Sequence, residues 1–300
     1  MRTDHASSGS ETAPEPGAAR LRSDSWRGSP GLIGATHFGA AAATYDEAAV
    51  LAKEVSLRMT ARLDVVKLAP ARIADIGCAT GDGIRALQAR YPQALPLAID
   101  YAPAMLAEVA RRVPWMDKLR RRGPRCLAAD VRALPLKSGT LGLAWSNLML
   151  HWLDDPLPAL RELQRVLEVG GLLMFSALGP DTLQELRAAG ATTLRRFHDM
   201  HDLGDMLVAA GFADPVMDME RIELTYASPR GLLRDQRRLG VRDGLLGPLG
   251  FREGRRVFRA WENARRDGRL PATFEIVYGH AWKAEPKTAA DGRAIIQFKK

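Results

Sequence analysis

The chain contains few cysteines, and they are not arranged to bind a metal. Its 300 residues include only two, Cys78 and Cys126, which lie far apart in the sequence. Their scarcity excludes a disulfide scaffold, and their spacing excludes a cysteine-ligated metal site. We therefore expect free thiols, a reducing compartment such as the cytoplasm, and no bound metal.

Long apolar runs are also missing. No stretch approaches the length of a membrane span or the apolar core of a secretory signal, so the sequence predicts neither. Residues 1–30 are rich in Ser, Ala, Gly and Pro with scattered charge, which predicts a disordered tail. The acids among its arginines argue against a mitochondrial targeting segment. We expect a second short tail at 286–300.

Aromatic residues are scarce, at 6% of the chain, and do not alternate with basic residues as they do where nucleic-acid bases stack. A nucleic-acid partner is therefore not expected, although the net charge is +8. Most of this excess falls in residues 230–269, which hold twelve arginines and five acids. This stretch is either a solvated helical surface or a basic face that attracts an acidic partner.

The clearest motif that the chain does contain runs from Ile73 to Gly83, between a short apolar run and a helical pattern. Its glycines Gly77 and Gly81 can adopt positive φ and let a ligand approach the backbone. The next apolar run ends at Asp100, about twenty residues after the turn, which is the separation that ribose recognition requires. A strand, a glycine turn and a helix start in this order predict a nucleotide-containing cofactor.

The acid at the end of the first apolar run decides between cofactors. Asp75 would repel the pyrophosphate of a dinucleotide, because both groups are negative. It would attract S-adenosylmethionine (AdoMet), which carries a positive α-ammonium and a sulfonium. The motif therefore favours AdoMet over a dinucleotide.

Four motifs in this order resemble those of class I AdoMet-dependent methyltransferases: Asp75–Gly81, Ile99–Leu106, Ala128–Val131 and Trp145–Leu148. The resemblance implies an α/β fold with a doubly wound, seven-stranded, mostly parallel sheet whose last strand, 273–282, is antiparallel. It also implies a set of cofactor-binding residues: Asp75, Gly77, Cys78, Ala79, Gly81, Asp100, Tyr101, Met105, Asp130, Val131 and Asn147.

Individual roles follow from the same resemblance. Asp100 is expected to accept hydrogen bonds from the ribose hydroxyls, Met105 to pack near the adenine, and Asp130 to bind the adenine amino group. Cys78 is also interpretable as a small packed residue. Ala79 departs from the family pattern, which usually has glycine there, but alanine is the smallest change and we expect cofactor binding to survive it.

Further segments (37–45, 175–186, 228–240 and 272–282) resemble the malonyl-acyl-carrier methyltransferases of biotin synthesis. This resemblance implies that Tyr45 lines the active site; the alternative is a half-buried aromatic residue that closes a helix pair. It implies an N-terminal helical lid at 31–70 and a methyltransferase domain at 71–285 with a helical insertion at about 181–269. In that insertion, Ser228 is the expected N-cap of a helix that begins with Pro229.

The implied reaction is O-methylation of the free carboxylate of malonyl-acyl carrier protein. A carboxylate is ionised at neutral pH, so the reaction needs alignment rather than a general base. His151 is a candidate catalytic residue, and a packed or capping histidine is the alternative. The basic stretch 230–269 would steer the acidic carrier protein, and an arginine within it would pair with the malonyl carboxylate.

Two alternatives stay open. The C-terminal half also resembles assembly factors of respiratory complex I, which would make the chain a hydroxylase or a non-catalytic protein. The other alternative is a methyltransferase for another small carboxylic acid. His198, His201 and Asp202 would share one face of a helix and bind a metal. The same residues also match a helix start with acids in its first turn.

Overall fold

The computed structural model describes residues 35–120 and 122–285. Within them, one seven-stranded sheet contains β1 (Arg72–Ile76), β2 (Leu95–Asp100), β3 (Arg125–Ala128), β4 (Leu141–Ser146), β5 (Leu167–Leu178), β6 (Ala213–Tyr226) and β7 (Leu270–Trp282). The strand order is β3-β2-β1-β4-β5-β7-β6. The expected tails at 1–30 and 286–300 lie outside the described residues.

The sheet is mostly parallel. Strands β1 to β5 pair in parallel, whereas β7 lies antiparallel between β5 and β6. The predicted α/β class and the predicted antiparallel last strand are thus confirmed, and that strand begins three residues earlier than expected, at Leu270. Because β2 and β4 flank β1, the chain reverses its direction of winding there, and ligands bind at such a switch point in α/β sheets.

Helices cover both faces of the sheet. The helices of the described residues are α1 (Ala35–Ala41), α2 (Tyr45–Ala48), α3 (Val50–Arg62), α4 (Asp82–Arg90), α5 (Pro103–Arg112), α6 (Trp115–Leu119), α7 (Leu157–Val166), α8 (Gln184–Ala188), α9 (Met200–Ala209), α10 (Pro229–Arg238), α11 (Arg242–Leu246) and α12 (Phe251–Trp261). Short 3₁₀ turns occupy Leu63–Val65, Leu150–Trp152 and Glu262–Ala264.

Alternation along the strands divides the apolar core into two layers. On β1, Ile73 packs into the layer that contains the buried residues of α3 and α4, while Ala74 and Ile76 pack into the layer that contains those of α7 and α9. The central strands are buried on both faces and read as continuous apolar runs, as parallel strands do. The carboxyl ends of these strands carry the polar residues of the predicted motifs.

The segment 181–269 is not purely helical. It contains α8 to α12 but also the fourteen-residue β6, which forms an edge of the sheet. Helix α10 begins with Pro229 after Ser228, as predicted, but the Ser228 side chain makes no capping hydrogen bond. The Gly231 N–H donates instead to the backbone carbonyl of Ser228, at 2.9 Å. No helix among the described residues is long and apolar enough to cross a membrane.

Candidate functional site

The glycine turn after β1 folds back against β2. The N–H groups of Gly77 and Cys78 both donate to the carbonyl of Ile99, at 2.8 and 3.0 Å. Gly77 has a φ of +73°, and a Cβ there would lie 2.4 Å from the Cγ atom of Met149. Both the conformation and the close approach therefore require glycine.

Two further turn residues have left-handed backbone conformations. Gly81 has a φ of +89° and immediately precedes α4. A Cβ on Gly81 would lie 3.0 Å from the Cγ2 atom of Val109, so there is little room for a side chain at this position. Ala79 has a φ of +44°, which is unfavourable for a residue with a Cβ. The departure from the family's glycine thus falls at a position where glycine would be less strained.

Asp100 connects the turn after β1 with the turn after β2. Its Oδ2 accepts a hydrogen bond from the Ala79 N–H at 2.9 Å, and its Oδ1 accepts one from the Ala102 N–H at 2.8 Å. Burial raises the pKa of this carboxyl, although the backbone hydrogen bonds oppose the shift. The N–H groups of Ala79, Tyr101 and Ala102 thus occupy three of the roughly four lone-pair sites of this carboxylate, which leaves one for a ligand hydroxyl.

A cleft opens above these turns at the carboxyl ends of the strands. Nine of the predicted site residues line it: Tyr45, Gly77, Ala79, Asp100, Tyr101, Met105, Asp130, Val131 and Asn147. We call it the cofactor cleft. Phe38, Leu148 and Trp152 contribute to the same lining. The sequence motifs therefore converge on one concave site, although they are spread over about a hundred residues.

Asp130 has a partner that the sequence interpretation missed. The Arg132 guanidinium donates to both oxygens of the Asp130 carboxylate, with an Nε–Oδ1 distance of 3.0 Å and an Nη2–Oδ2 distance of 2.6 Å. Burial opposes ionisation of Asp130, but the hydrogen bonds and charge of Arg132 outweigh it and hold its pKa below the ordinary value. The acid two residues before an arginine was a readable signal for this pair.

A smaller recess lies beneath the glycine turn. Its lining includes Tyr45, Asp75, Cys78 and Asn147. Asp75 is only 2% exposed, and burial raises its pKa to about 7, with a smaller contribution from the Asp100 charge and an opposing hydrogen bond from the Ile84 N–H. The buried Trp145 Nε1 has no hydrogen-bond partner among the described residues.

Cys78 is a packed residue in this recess. It is buried, and burial raises the pKa of its thiol well above the ordinary value. Its Sγ faces the carbonyl of Ala79 at 3.7 Å. A buried neutral thiol is unreactive, so Cys78 contributes shape to the recess.

Asn147 holds three elements together at the end of β4. Its Nδ2 donates to the Ala52 carbonyl of α3 at 2.8 Å, and its Oδ1 accepts from the Ser176 hydroxyl of β5 at 2.9 Å. Leu148 follows with a φ of +50°, and its N–H also points to Ser176. The Ser176 contact carried no signal in the sequence, because it joins residues that are distant in the chain.

A second cavity of about 420 Å³ adjoins the cofactor cleft. The two spaces share Phe38, Tyr45, Leu148 and Trp152 in their linings. We call the second space the acceptor cavity. Tyr45 is half-buried at the boundary, and burial, with a contribution from the Asp100 charge, raises its pKa, so its hydroxyl stays protonated. The structure places Tyr45 between the cofactor cleft and the acceptor cavity, and its role in the reaction stays a prediction.

His151 lines the acceptor cavity as a packed side chain. It is 6% exposed and its ring lies against Trp152 and Phe197, at centroid distances of 4.6 and 5.5 Å. Its Nδ1 accepts a hydrogen bond from the Leu178 N–H at 3.3 Å. Burial lowers its pKa to about 3, with Arg195 adding to the shift. The neutral ring then carries its proton on Nε2, which makes it a hydrogen-bond donor rather than a base.

The remaining described polar lining of the acceptor cavity does not include the expected arginine that would pair with the malonyl carboxylate. Among the described lining residues there is no arginine or lysine. Gln236 is 3% exposed, and its Oε1 has no hydrogen-bond partner among the described residues. Glu223 and Asp235 also contribute, and each pairs with an arginine outside the cavity, Arg266 and Arg234. The arginine expectation therefore fails for this cavity.

The histidine and aspartate cluster before α9 forms a helix start. Asp199 is the N-cap, its carboxylate accepts from the His201 and Asp202 N–H groups, and the Asp202 carboxylate accepts from the Asp199 N–H in return. His198 precedes the helix, so it does not share a helical face with His201. The structure thus uses these acids for the capping box, one of the two interpretations of the sequence.

Comparison with known proteins relates the chain to methyltransferases. A family model described as a methyltransferase domain matches residues 74–175, which include the turn after β1 and the motifs on β2 to β4. The fold is similar to that of YcgJ from Bacillus subtilis, with a TM-score of 0.55 and 13% identity over 77% of this chain and all of that chain. It is also similar to a putative methyltransferase from Bacillus halodurans, with a TM-score of 0.54, 14% identity and 76% and 99% coverage.

Curated relatives are much more similar in sequence. A malonyl-[acyl-carrier protein] O-methyltransferase from Laribacter hongkongensis is 50% identical over 87% of this chain and 93% of its own length. The protein of the same name from Gallionella capsiferriformans is 48% identical with the same coverage. Identity at this level over nearly the whole of both chains means that this chain belongs to the malonyl-[acyl-carrier protein] O-methyltransferase family.

Proposed function

We propose that the protein uses AdoMet to methylate the free carboxylate of malonyl-acyl carrier protein and so acts in biotin synthesis. This is the reaction for which its curated relatives are named. The observation that carries this proposal is the junction of two spaces. The cofactor cleft and the acceptor cavity meet at Tyr45 and Trp152, so a methyl donor and an acceptor can lie side by side. Alignment of two bound groups is what a displacement requires.

The residues of the cofactor cleft fit AdoMet. Asp75 is a buried carboxyl whose pKa of about 7 reflects burial without a cationic partner, and the α-ammonium of AdoMet would supply one. Asp100 would hold the ribose, Asp130 the adenine amino group, and Met105 with Val131 the adenine faces. When bound, AdoMet supplies a methyl group on a positive sulfur.

The acceptor cavity provides neutral hydrogen-bond donors. The Tyr45 hydroxyl keeps its proton because its pKa is raised by burial, and the neutral His151 ring carries a proton on Nε2. Neutral donors orient a carboxylate while leaving more of its charge available for attack than a guanidinium pair would. We assign Tyr45 and His151 to holding and orienting the acceptor, and neither to removing a proton.

Several elements would exclude water from this junction. Helices α1 to α3 supply Phe38, Tyr45 and the Ala48–Ala52 segment of the wall, and α10 and α11 supply the opposite wall through Gln236 and Leu245. We propose that the region 31–70 and the helices within 181–269 together form the lid of a methyltransferase domain at 71–285. The cytoplasm is the proposed location, since it keeps the unpaired thiols of Cys78 and Cys126 reduced.

The test is mass spectrometry of malonyl-acyl carrier protein after incubation with the purified protein and AdoMet. The wild-type protein should add one methyl group to the malonyl arm, and Asp100→Ala should lose this activity because the ribose loses its acceptor. Asp205→Asn is the matched control, because Asp205 is an exposed acid on α9 outside both spaces. The absence of methyl transfer by a folded wild-type protein that binds AdoMet would overturn the proposal.

A further inference from the structure

A groove lined by four arginines lies beside the acceptor cavity. Arg230, Arg234, Arg237 and Arg269 line it, and it shares Thr225, Tyr226 and Asp235 with the cavity. We call it the arginine groove. Because the two linings share three residues, the spaces adjoin, and both lie within the reach of one long flexible ligand.

Three of these arginines form a stripe on one side of α10. Arg230, Arg234 and Arg237 are spaced i, i+4 and i+7, so they share a helical face, whereas Leu232 and Gln236 are buried. Like charges at this spacing destabilise a helix by themselves. An anion in the groove would remove this repulsion.

The charge of the groove is poorly neutralised by the protein. Arg234 has Asp235 at 3.6 Å, while Arg230 and Arg237 have no ion pair with any other described residue. Arg269 donates to the Oγ1 and carbonyl oxygen of Thr225 at 2.7 and 2.5 Å, which fixes its guanidinium without neutralising it. A guanidinium group can donate two parallel hydrogen bonds to the oxygens of one phosphate, and four arginines line this one groove.

A second observation comes from the buried side of the same helix. The Gln236 Oε1 is a buried acceptor without a partner among the described residues, and it lines the acceptor cavity. A buried unsatisfied acceptor indicates a ligand with an N–H donor. Helix α10 therefore presents guanidinium groups that suit a phosphate on one face and, on the other, a buried acceptor that suits an amide N–H.

We propose that the arginine groove binds the phosphate of a phosphopantetheine arm whose amide groups and thioester continue past Gln236 into the acceptor cavity. This inference rests on the proposed function, because the arm is the group that carries malonyl on an acyl carrier protein. It assigns to the groove the phosphate ester of the arm rather than the carboxylates of the carrier protein's surface.

Protein-free thioesters test this assignment. We would compare malonyl-phosphopantetheine with malonyl-pantetheine, which lacks the phosphate. The wild-type protein should have a KM about tenfold lower for the phosphorylated thioester, with a similar kcat. In the double variant Arg230→Gln/Arg237→Gln this preference should disappear, because the variant and the missing phosphate remove the same interaction.

The double variant Arg252→Gln/Arg259→Gln is the matched control. Both residues are exposed on α12, outside the arginine groove, and neither has an ion pair with another described residue. This variant lowers the net charge equally, so it should keep the wild-type preference. Equal KM values for the two thioesters in the wild-type protein, or a preference that survives in Arg230→Gln/Arg237→Gln, would overturn the inference.

Calorimetry separates this inference from the proposed function. Binding of 4′-phosphopantetheine to the wild-type protein, lost without its phosphate and lost in Arg230→Gln/Arg237→Gln, should be measurable whether or not methyl transfer occurs. If no malonyl thioester is methylated but this binding remains, the phosphate site is supported and the proposed reaction is refuted. If methylation occurs and 4′-phosphopantetheine binds no better than pantetheine, the proposed reaction is supported and the phosphate site is refuted.

Discussion

At the scale of single residues, the glycine turn contains one strained position. Ala79 has a φ of +44°, and its N–H is fixed by the Asp100 carboxylate at 2.9 Å. A Cβ in the left-handed region costs about 1 kcal/mol or more. The hydrogen bond holds the residue in place, so the strain persists in the folded protein.

We predict that Ala79→Gly raises the free energy of unfolding by up to about 1 kcal/mol, because glycine adopts positive φ without this penalty. Urea denaturation of the two proteins measures the difference. Ala89→Gly, at an exposed position inside α4, is the control and should lower stability by about 1 kcal/mol. Equal losses in both variants would contradict the assigned strain.

Asp75 makes the stability of the AdoMet-free protein depend on pH. Burial raises the pKa of its carboxyl from 3.8 to about 7. A carboxyl with a higher pKa in the folded state binds its proton more tightly there, so it favours folding at low pH. This contribution is lost as the pH rises from about 4 to about 7, and a constant destabilisation remains above that range.

The variant Asp75→Asn cannot titrate, so its stability relative to wild type should rise between pH 4 and 7 and level off above. The total gain should be on the order of 4 kcal/mol. Denaturation at several pH values gives this curve, with Asp205→Asn as an exposed control that should not follow it. A difference that stays constant over this range would refute the role of the Asp75 pKa.

The residues of the cofactor cleft were predictable because they are grouped in short segments at strand ends. Asp75, Gly77 and Asp100 could be read from a strand, a turn and an acid at a fixed separation. The local spacing of Asp130 and Arg132 also carried a signal, which the sequence interpretation did not use. Ser176 carried none, because its contact with Asn147 joins residues that are distant in the chain. Gln236 lacked any signal, since its burial depends on how α10 packs.

At the scale of elements, β7 is the strand with the tightest packing requirement. A Cβ on Gly279 would lie 2.4 Å from the Phe175 ring on β5 and 3.0 Å from the Met217 Sδ on β6. The strand therefore needs a residue without a side chain where it crosses its two neighbours. The family resemblance predicted this strand at 273–282 but did not place β6, which lies within the segment expected to be a helical insertion.

We predict that Gly279→Ala lowers the free energy of unfolding by about 1–3 kcal/mol, because the added methyl group overpacks the sheet. Thermal or urea denaturation measures the loss. Gly204→Ala is the matched control, since α9 has room at this position and the nearest atom would be 3.5 Å away. It should raise stability by about 0.5–1 kcal/mol through helix propensity.

At the scale of the whole molecule, charge is distributed unevenly. The net charge is +8, and residues 230–269 contribute +7 of it through twelve arginines and five acids. The arginine groove lies in this region, next to the acceptor cavity. The positive charge of this region attracts an acidic macromolecule over about one Debye length.

We predict that kcat/KM for malonyl-acyl carrier protein falls by roughly tenfold as salt rises from about 0.05 to about 0.5 M, because screening weakens this long-range attraction. Initial rates at a series of NaCl concentrations measure the slope. Malonyl-pantetheine, which lacks both the protein and the phosphate, should depend on salt much less. A similar slope for both substrates would mean that the basic region does not steer the carrier protein.

The position of β7 also has a consequence for synthesis of the chain on the ribosome. β7 fills the gap between β5 and β6 but follows both in sequence, so each of them emerges with an unpaired edge. Open strand edges invite pairing with other chains. The sheet can close only once Leu270–Trp282 has left the exit tunnel, so we expect the nascent protein to be exposed to non-native strand pairing until then.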